Sequence, residues 1–75
     1  MPHLAGTNIM KNTLKVERAK LNISQAELAE KIKVSRQTIN SIETNRYIPS
    51  TILALKIASF FKVRVEDVFW LEDGD

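Results

Sequence analysis

The chain contains no cysteine, two glycines, two prolines and one histidine in 75 residues. Each shortage excludes something. Without cysteine, neither disulfides nor thiolate metal sites can hold a small domain together. With glycine only at Gly6 and Gly74, no glycine-rich loop can cradle a phosphate. The single histidine, His3, stands in the N-terminal segment, apart from any partner for metal or acid–base work. Glu72, Asp73 and Asp75 read as a solvated acidic tail rather than a calcium loop. No catalytic constellation, metal site or cofactor is therefore expected. The longest apolar stretches, Ile52 to Leu55 and Val68 to Leu71, fall far short of the roughly 20 residues that cross a bilayer. The first nine residues lack the basic start and apolar centre of a secretory leader, and Met10 offers an alternative start. A cytoplasmic protein without a membrane partner is the expectation.

What is present fits one small domain. A chain of this length buries only about 60% of its unfolded surface, so pairing with a second copy is an expected way to bury more. The net charge of +2 hides an uneven distribution. All eleven Lys and Arg lie between Lys11 and Arg64 with only four acids among them, a surplus of seven. The other five acids follow Arg64. A basic body suits a polyanionic partner.

Apolar residues recur at helical spacing along most of the chain. The pattern predicts a first helix from about Asn12 to Leu21, with Leu14, Arg18 and Leu21 on one face and Asn22 as its stop. Ser24-Gln25-Ala26-Glu27 is a capping box that opens a second helix with Leu28, Ala29 and Ile32 buried. Ser35 caps a third, Arg36 to about Thr44, with Ile39 and Ile42 inward. After a loop at Asn45 to Pro49, Ser50 caps a fourth that reaches about Phe61. Its stripe is Leu53, Ile57, Phe60 and Phe61, with Ala54 and Ala58 permitting close approach. A short fifth helix starts near Val65, its first-turn acids Glu66 and Asp67 favouring the helix dipole. Thr7 to Met10 and Val68 to Leu71 hold strand formers and predict a small antiparallel ribbon between the chain ends. The expected fold is thus all-α, a five-helix bundle with a short terminal ribbon. Residues 1–11 read as an extension, 12–69 as the domain and 70–75 as the acidic tail.

The informative part is the window from Gln25 to Thr44. Only Lys33 and Val34 separate its two helices, which forces them to cross. The fifth residue, Ala29, must be small because the next helix packs over it. Leu28, Ile32 and Val34 fill the wedge, and Ile39 and Ile42 close it. This spacing is that of a helix-turn-helix. On its outer face Arg36, Gln37 and Asn40 stand opposite Ile39 and Ile42. Arg offers a fork to guanine O6 and N7, and Gln or Asn pairs with adenine N6 and N7. Gln25 begins its helix, where backbone amides attract phosphate.

Several separated stretches resemble the lambda-type repressor and Cro proteins, the XRE family. They are Ser24-Gln-Ala-Glu-Leu-Ala-Glu-Lys-Ile, Val34-Ser-Arg-Gln-Thr-Ile-Asn-Ser-Ile-Glu, Arg46-Tyr-Ile-Pro-Ser, Leu53-Ala-Leu-Lys-Ile-Ala, and Val63 with Glu66-Asp-Val-Phe. The resemblance covers roughly Leu14 to Phe69. It implies a homodimeric transcriptional regulator, a repressor, that binds a palindromic operator in double-stranded DNA. It implies that Arg36, Gln37, Asn40 and Ser41 enter the major groove. It places Gln25 on the sugar-phosphate backbone, with Ser35, Thr38, Thr44 and Arg46 as further phosphate candidates. It also implies a structural ion pair between Arg18 and Glu43.

The chain departs from the family pattern where Asn22, Lys33 and Asn45 stand in place of frequent glycines, and Lys33 adds positive charge near the DNA side. Glu17 replaces an often apolar residue, so the first helix is expected to bury less, and Arg64 replaces a capping Ser or Asp. Phe69, Trp70 and Leu71 read equally as core packed against the first helix and as dimer interface. Two other functions stay open: an antitoxin that represses its own operon and caps a toxin, and a protein-interaction module of the same bundle that ignores DNA.

Overall fold

Three serines start three of the helices. The computed structural model describes residues 9–72. Readings that rested on His3, Gly6, Thr7, Asp73, Gly74 and Asp75 lie outside them. In chain order the elements are β1 (Ile9–Asn12), α1 (Leu14–Leu21), α2 (Gln25–Ile32), α3 (Arg36–Glu43), α4 (Thr51–Phe61), α5 (Val65–Val68) and β2 (Phe69–Glu72). Helices this short are marginal alone, so caps and packing hold them. Ser24, Ser35 and Ser50 each accept the N–H three residues on, from Glu27 at 3.0 Å, Thr38 at 3.0 Å and Leu53 at 3.1 Å. The Glu27 carboxylate returns to the Ser24 N–H at 2.8 Å and completes the capping box. At α5, Arg64 has no acceptor to offer. The cap is reversed: the Asp67 carboxylate accepts from the Arg64 backbone N–H at 3.1 Å and from its guanidinium at 3.3 Å. These hydrogen bonds hold the Asp67 carboxyl below its ordinary range.

The first four helices all stop in the same way. Asn22, Lys33, Asn45 and Lys62 take positive φ of 56°, 64°, 62° and 60°. The next residue then bonds back five positions: Ile23 to Arg18 O, Val34 to Ala29 O, Arg46 to Ser41 O and Val63 to Ala58 O. This is the Schellman turn, here built four times without glycine. Ile23, Val34 and Val63, each following a left-handed residue, pack partly buried against the core. The left-handed Lys62 had no sign in the sequence.

Leu14, Leu28, Ile39, Ile42, Ile57 and Val68 form a core with no more than 1% of their surface exposed, and Ala29 lies among them at 3%. In α4, Ala54, Ile57 and Ala58 are buried and Leu53, Phe60 and Phe61 half-buried. The last two rings meet edge to face, 5.0 Å apart. No described helix is long and apolar enough to cross a membrane.

Several expectations are corrected. α1 begins at Leu14 rather than Asn12, because Asn12 belongs to β1 and its side-chain oxygen accepts the Leu14 N–H at 3.0 Å. Leu21, the last residue of α1, stays half exposed. Glu17 is buried instead, with Lys20 Nζ at 3.3 Å as its counter-ion. The ribbon lies further along both segments than expected. Asn12 pairs with Phe69 and Ile9 with Glu72, because Val68 completes α5 and its carbonyl accepts from Thr13 N–H at 2.9 Å. Phe69 enters the core, whereas Trp70 and Leu71 are exposed. Trp70 to Glu72, assigned to the tail on sequence, lie in β2, and Glu72 meets Lys11 at 3.7 Å.

Arg18 and Glu43 form the ion pair the resemblance implied. Arg18 Nε lies 2.6 Å from Glu43 Oε2 and Nη2 lies 3.1 Å from Oε1, while Nη1 donates to the Ile23 carbonyl at 2.9 Å. Their side chains are 14% and 6% exposed. The Glu43 hydrogen bonds push the Arg18 pKa up against the opposing effect of burial.

Glu43→Ala leaves a part-buried guanidinium without its carboxylate and should lower unfolding free energy by about 1.5–3 kcal/mol in urea titrations. Replacing both partners with apolar residues of matching volume should recover most of that loss. Lys62→Gly removes the left-handed penalty but enlarges the unfolded ensemble. It should stabilise the fold by about 0.5–1 kcal/mol, read as a raised thermal midpoint.

Candidate nucleic-acid interface

With Ile39 and Ile42 turned inward, helical geometry dictates the opposite face of α3. Arg36, Gln37, Asn40, Ser41 and Thr44 cover about 140° of its circumference. Arg36, Gln37, Asn40 and Thr44 are exposed and Ser41 is half-buried. The structure therefore brings the four sequence-predicted base readers onto one face. Arg36 and Arg46 are exposed and enter no ion pair among the described residues. Their guanidinium donors stay available, five on each side chain.

The expected phosphate candidates differ in what they can offer. The Ser35 and Thr38 hydroxyls lie 2.8 Å apart, so one donates to the other and one proton remains. Thr44 turns its hydroxyl back onto its own helix, donating to the Asn40 carbonyl at 2.9 Å. Gln25, half-buried at the start of α2, sends its side-chain nitrogen inward. That nitrogen donates to Glu43 Oε1 at 3.0 Å and to Asn40 Oδ1 at 3.2 Å. The N–H groups of Gln25 and Ala26, in the first turn of α2, have no partner within the helix and remain as donors.

Two residues escaped the sequence reading. Tyr47 lines a shallow cleft with Ser35, Gln37, Thr38 and Ser41, because the Arg46 and Tyr47 N–H groups both bond the Ser41 carbonyl, at 2.8 and 3.2 Å. An aromatic beside Arg46 was the available signal. Asn12 sits on the other side of α3, where its amide donates to the Ile42 carbonyl at 2.9 Å. It ties the ribbon to the end of this helix, and nothing local marked it.

The family described as helix-turn-helix matches residues 14–68. An uncharacterized HTH-type transcriptional regulator of Methanocaldococcus jannaschii is 54% identical over 66 residues, covering 88% of this chain and all of the relative. The uncharacterized HTH-type transcriptional regulator YgzD of Bacillus subtilis is 50% identical over 64 residues, covering 85% of this chain and 97% of its own. A crystal structure described as that of a candidate DNA-binding protein from Bacteroides fragilis superposes with a TM-score of 0.74 at 27% identity, over 83% of this chain and all of that one. On these matches the chain belongs to the XRE-type helix-turn-helix family of DNA-binding transcriptional regulators, a non-enzymatic class.

Proposed function

We propose that this protein is a cytoplasmic repressor that binds a palindromic operator as a homodimer, each α3 entering a major groove. The observation that carries the reading is the α3 face itself. Arg36, Gln37 and Asn40 stand exposed over the buried Ile39 and Ile42, with donors on both flanks. One flank is the start of α2, and the other is Arg46. Such an arrangement combines base readers with groups that hold the phosphate backbone, and phosphate contacts set register without reading sequence. Exposed Ile52 and Leu55 on α4, and Trp70 and Leu71 on β2, supply apolar surface for a second copy to cover. Repression follows from occupying the promoter and excluding polymerase.

Selection from a random duplex pool at near-physiological salt should enrich an inverted repeat, its half-sites about 34 Å apart. A single asymmetric site would remove the homodimer, and no enrichment by folded protein would remove the reading altogether. Arg36→Ala should lose about 1–3 kcal/mol and relax preference at one base pair per half-site. Arg46→Ala should instead weaken all sequences evenly and lower the salt slope of binding by about one.

A further inference from the structure

We propose that Gln25 is a positioning residue that fixes the polarity of Asn40, so that Asn40 presents its amide donor to the DNA and selects guanine. The inference rests on the DNA-binding reading above and adds which way one reader faces. A free asparagine amide can turn over, offering either its oxygen or its nitrogen. Here a chain of one-way groups settles the matter. Arg18 can only donate, and it engages both oxygens of Glu43. Glu43, buried against that guanidinium, can only accept. Whatever else touches Glu43 Oε1 must therefore be a donor, so the Gln25 amide faces it with nitrogen, 3.0 Å away. The second hydrogen on that same nitrogen meets Asn40 at 3.2 Å, which requires the Asn40 oxygen on that side. Asn40 is exposed, and its Nδ2 group is left as the free end.

The major groove distinguishes the two ends of such an amide. Guanine shows two adjacent acceptors, O6 and N7, thymine one acceptor, O4, beside a methyl group, and cytosine only the N4 donor, so a leading amide nitrogen with two protons fits guanine best. Adenine pairs with asparagine by giving N6–H to the oxygen while N7 accepts from the nitrogen. In this structure Gln25 already holds that oxygen, taking one of its two lone pairs and turning it toward α2, so that the nitrogen leads into the groove. The adenine preference expected from residue type alone is thereby shifted towards guanine. The same hydrogen bonds commit both side-chain protons of Gln25, so its phosphate contact falls to the backbone N–H groups at the start of α2.

The experiment is selection from a random duplex pool with wild type, Asn40→Asp, Gln25→Met and Gln25→Ala, each verified as folded by circular dichroism. Methionine keeps the length and packing of Gln25 and removes only the amide. The position whose base changes in Asn40→Asp is the one Asn40 reads, and there wild type should favour guanine over adenine. Both Gln25 variants should cut that ratio by about tenfold, within the discrimination a good base contact provides, and leave the rest of the motif intact. Uniformly weaker binding with an unchanged motif would show that Gln25 merely supports the fold or the backbone contact, and would overturn the proposal. Adenine at that position in wild type would overturn it too. A folded wild type that selects no sequence would defeat the DNA reading itself, a result distinct from either.

Discussion

The structure depends on one part-buried ion pair. Arg18 comes from α1 and Glu43 from the end of α3, 25 residues apart. Their contact does more than join two helices. The third arm of the guanidinium holds the Ile23 carbonyl in the turn before α2, and Glu43 Oε1, shared with Arg18, also holds Gln25 at the start of α2. Four chain segments thus meet at one pair of charges. Continuum reasoning gives buried pairs little net stability against apolar substitutes, because two ions must leave water. What the pair supplies is direction. Packed apolar side chains tolerate small rotations of one helix against another, whereas a forked guanidinium on a carboxylate specifies their geometry. For a protein whose outer face must match a groove, that orientation matters more than the stability.

The same economy appears at the helix ends. Three helices of eight residues cannot stand alone, and each is bounded by a side-chain cap or a reversed turn. Placing asparagine or lysine where glycine would relax the left-handed backbone raises the energy of each turn. The apolar residues that follow Asn22, Lys33 and Lys62 offset this by packing on the core. At Asn45 the following residue is Arg46, exposed rather than packed. That turn therefore directs a cation outward beside α3, where the other three direct an apolar side chain inward.

What could be read from the sequence was local. The Ser24–Glu27 box, the caps at Ser35 and Ser50, small Ala29 and the inward Ile39 and Ile42 each follow from spacing within one or two turns. Those features sufficed for the fold and for which face of α3 looks out. What could not be read depends on partners far along the chain. Asn12 reaches Ile42 across 30 residues, and the register of β1 on β2 is set by where α5 stops. Glu17 looked too polar for the interior, yet Lys20 one turn on makes its burial tolerable. Side-chain direction was the least legible. Thr44 and Gln25 carry the right groups for phosphate, but a single torsion decides whether a proton faces outward or is used within the protein.

The direction of each proton decides how such a surface grips its ligand. A phosphodiester offers only acceptors, so a side chain anchors it only with a proton not already committed. The hydroxyl of Thr44 is turned to its own helix, one of the two protons shared by Ser35 and Thr38 is committed, and the Gln25 amide is engaged twice. On the proposed reading, anchoring therefore rests on the guanidinium of Arg46 and the backbone N–H groups of Gln25 and Ala26. These differ from hydroxyls in a useful respect. Backbone donors cannot rotate away, and a guanidinium carries five donors and no acceptor. The flexible polar groups are drawn inward to orient one another, while the groups left facing the backbone are those whose donors are always present.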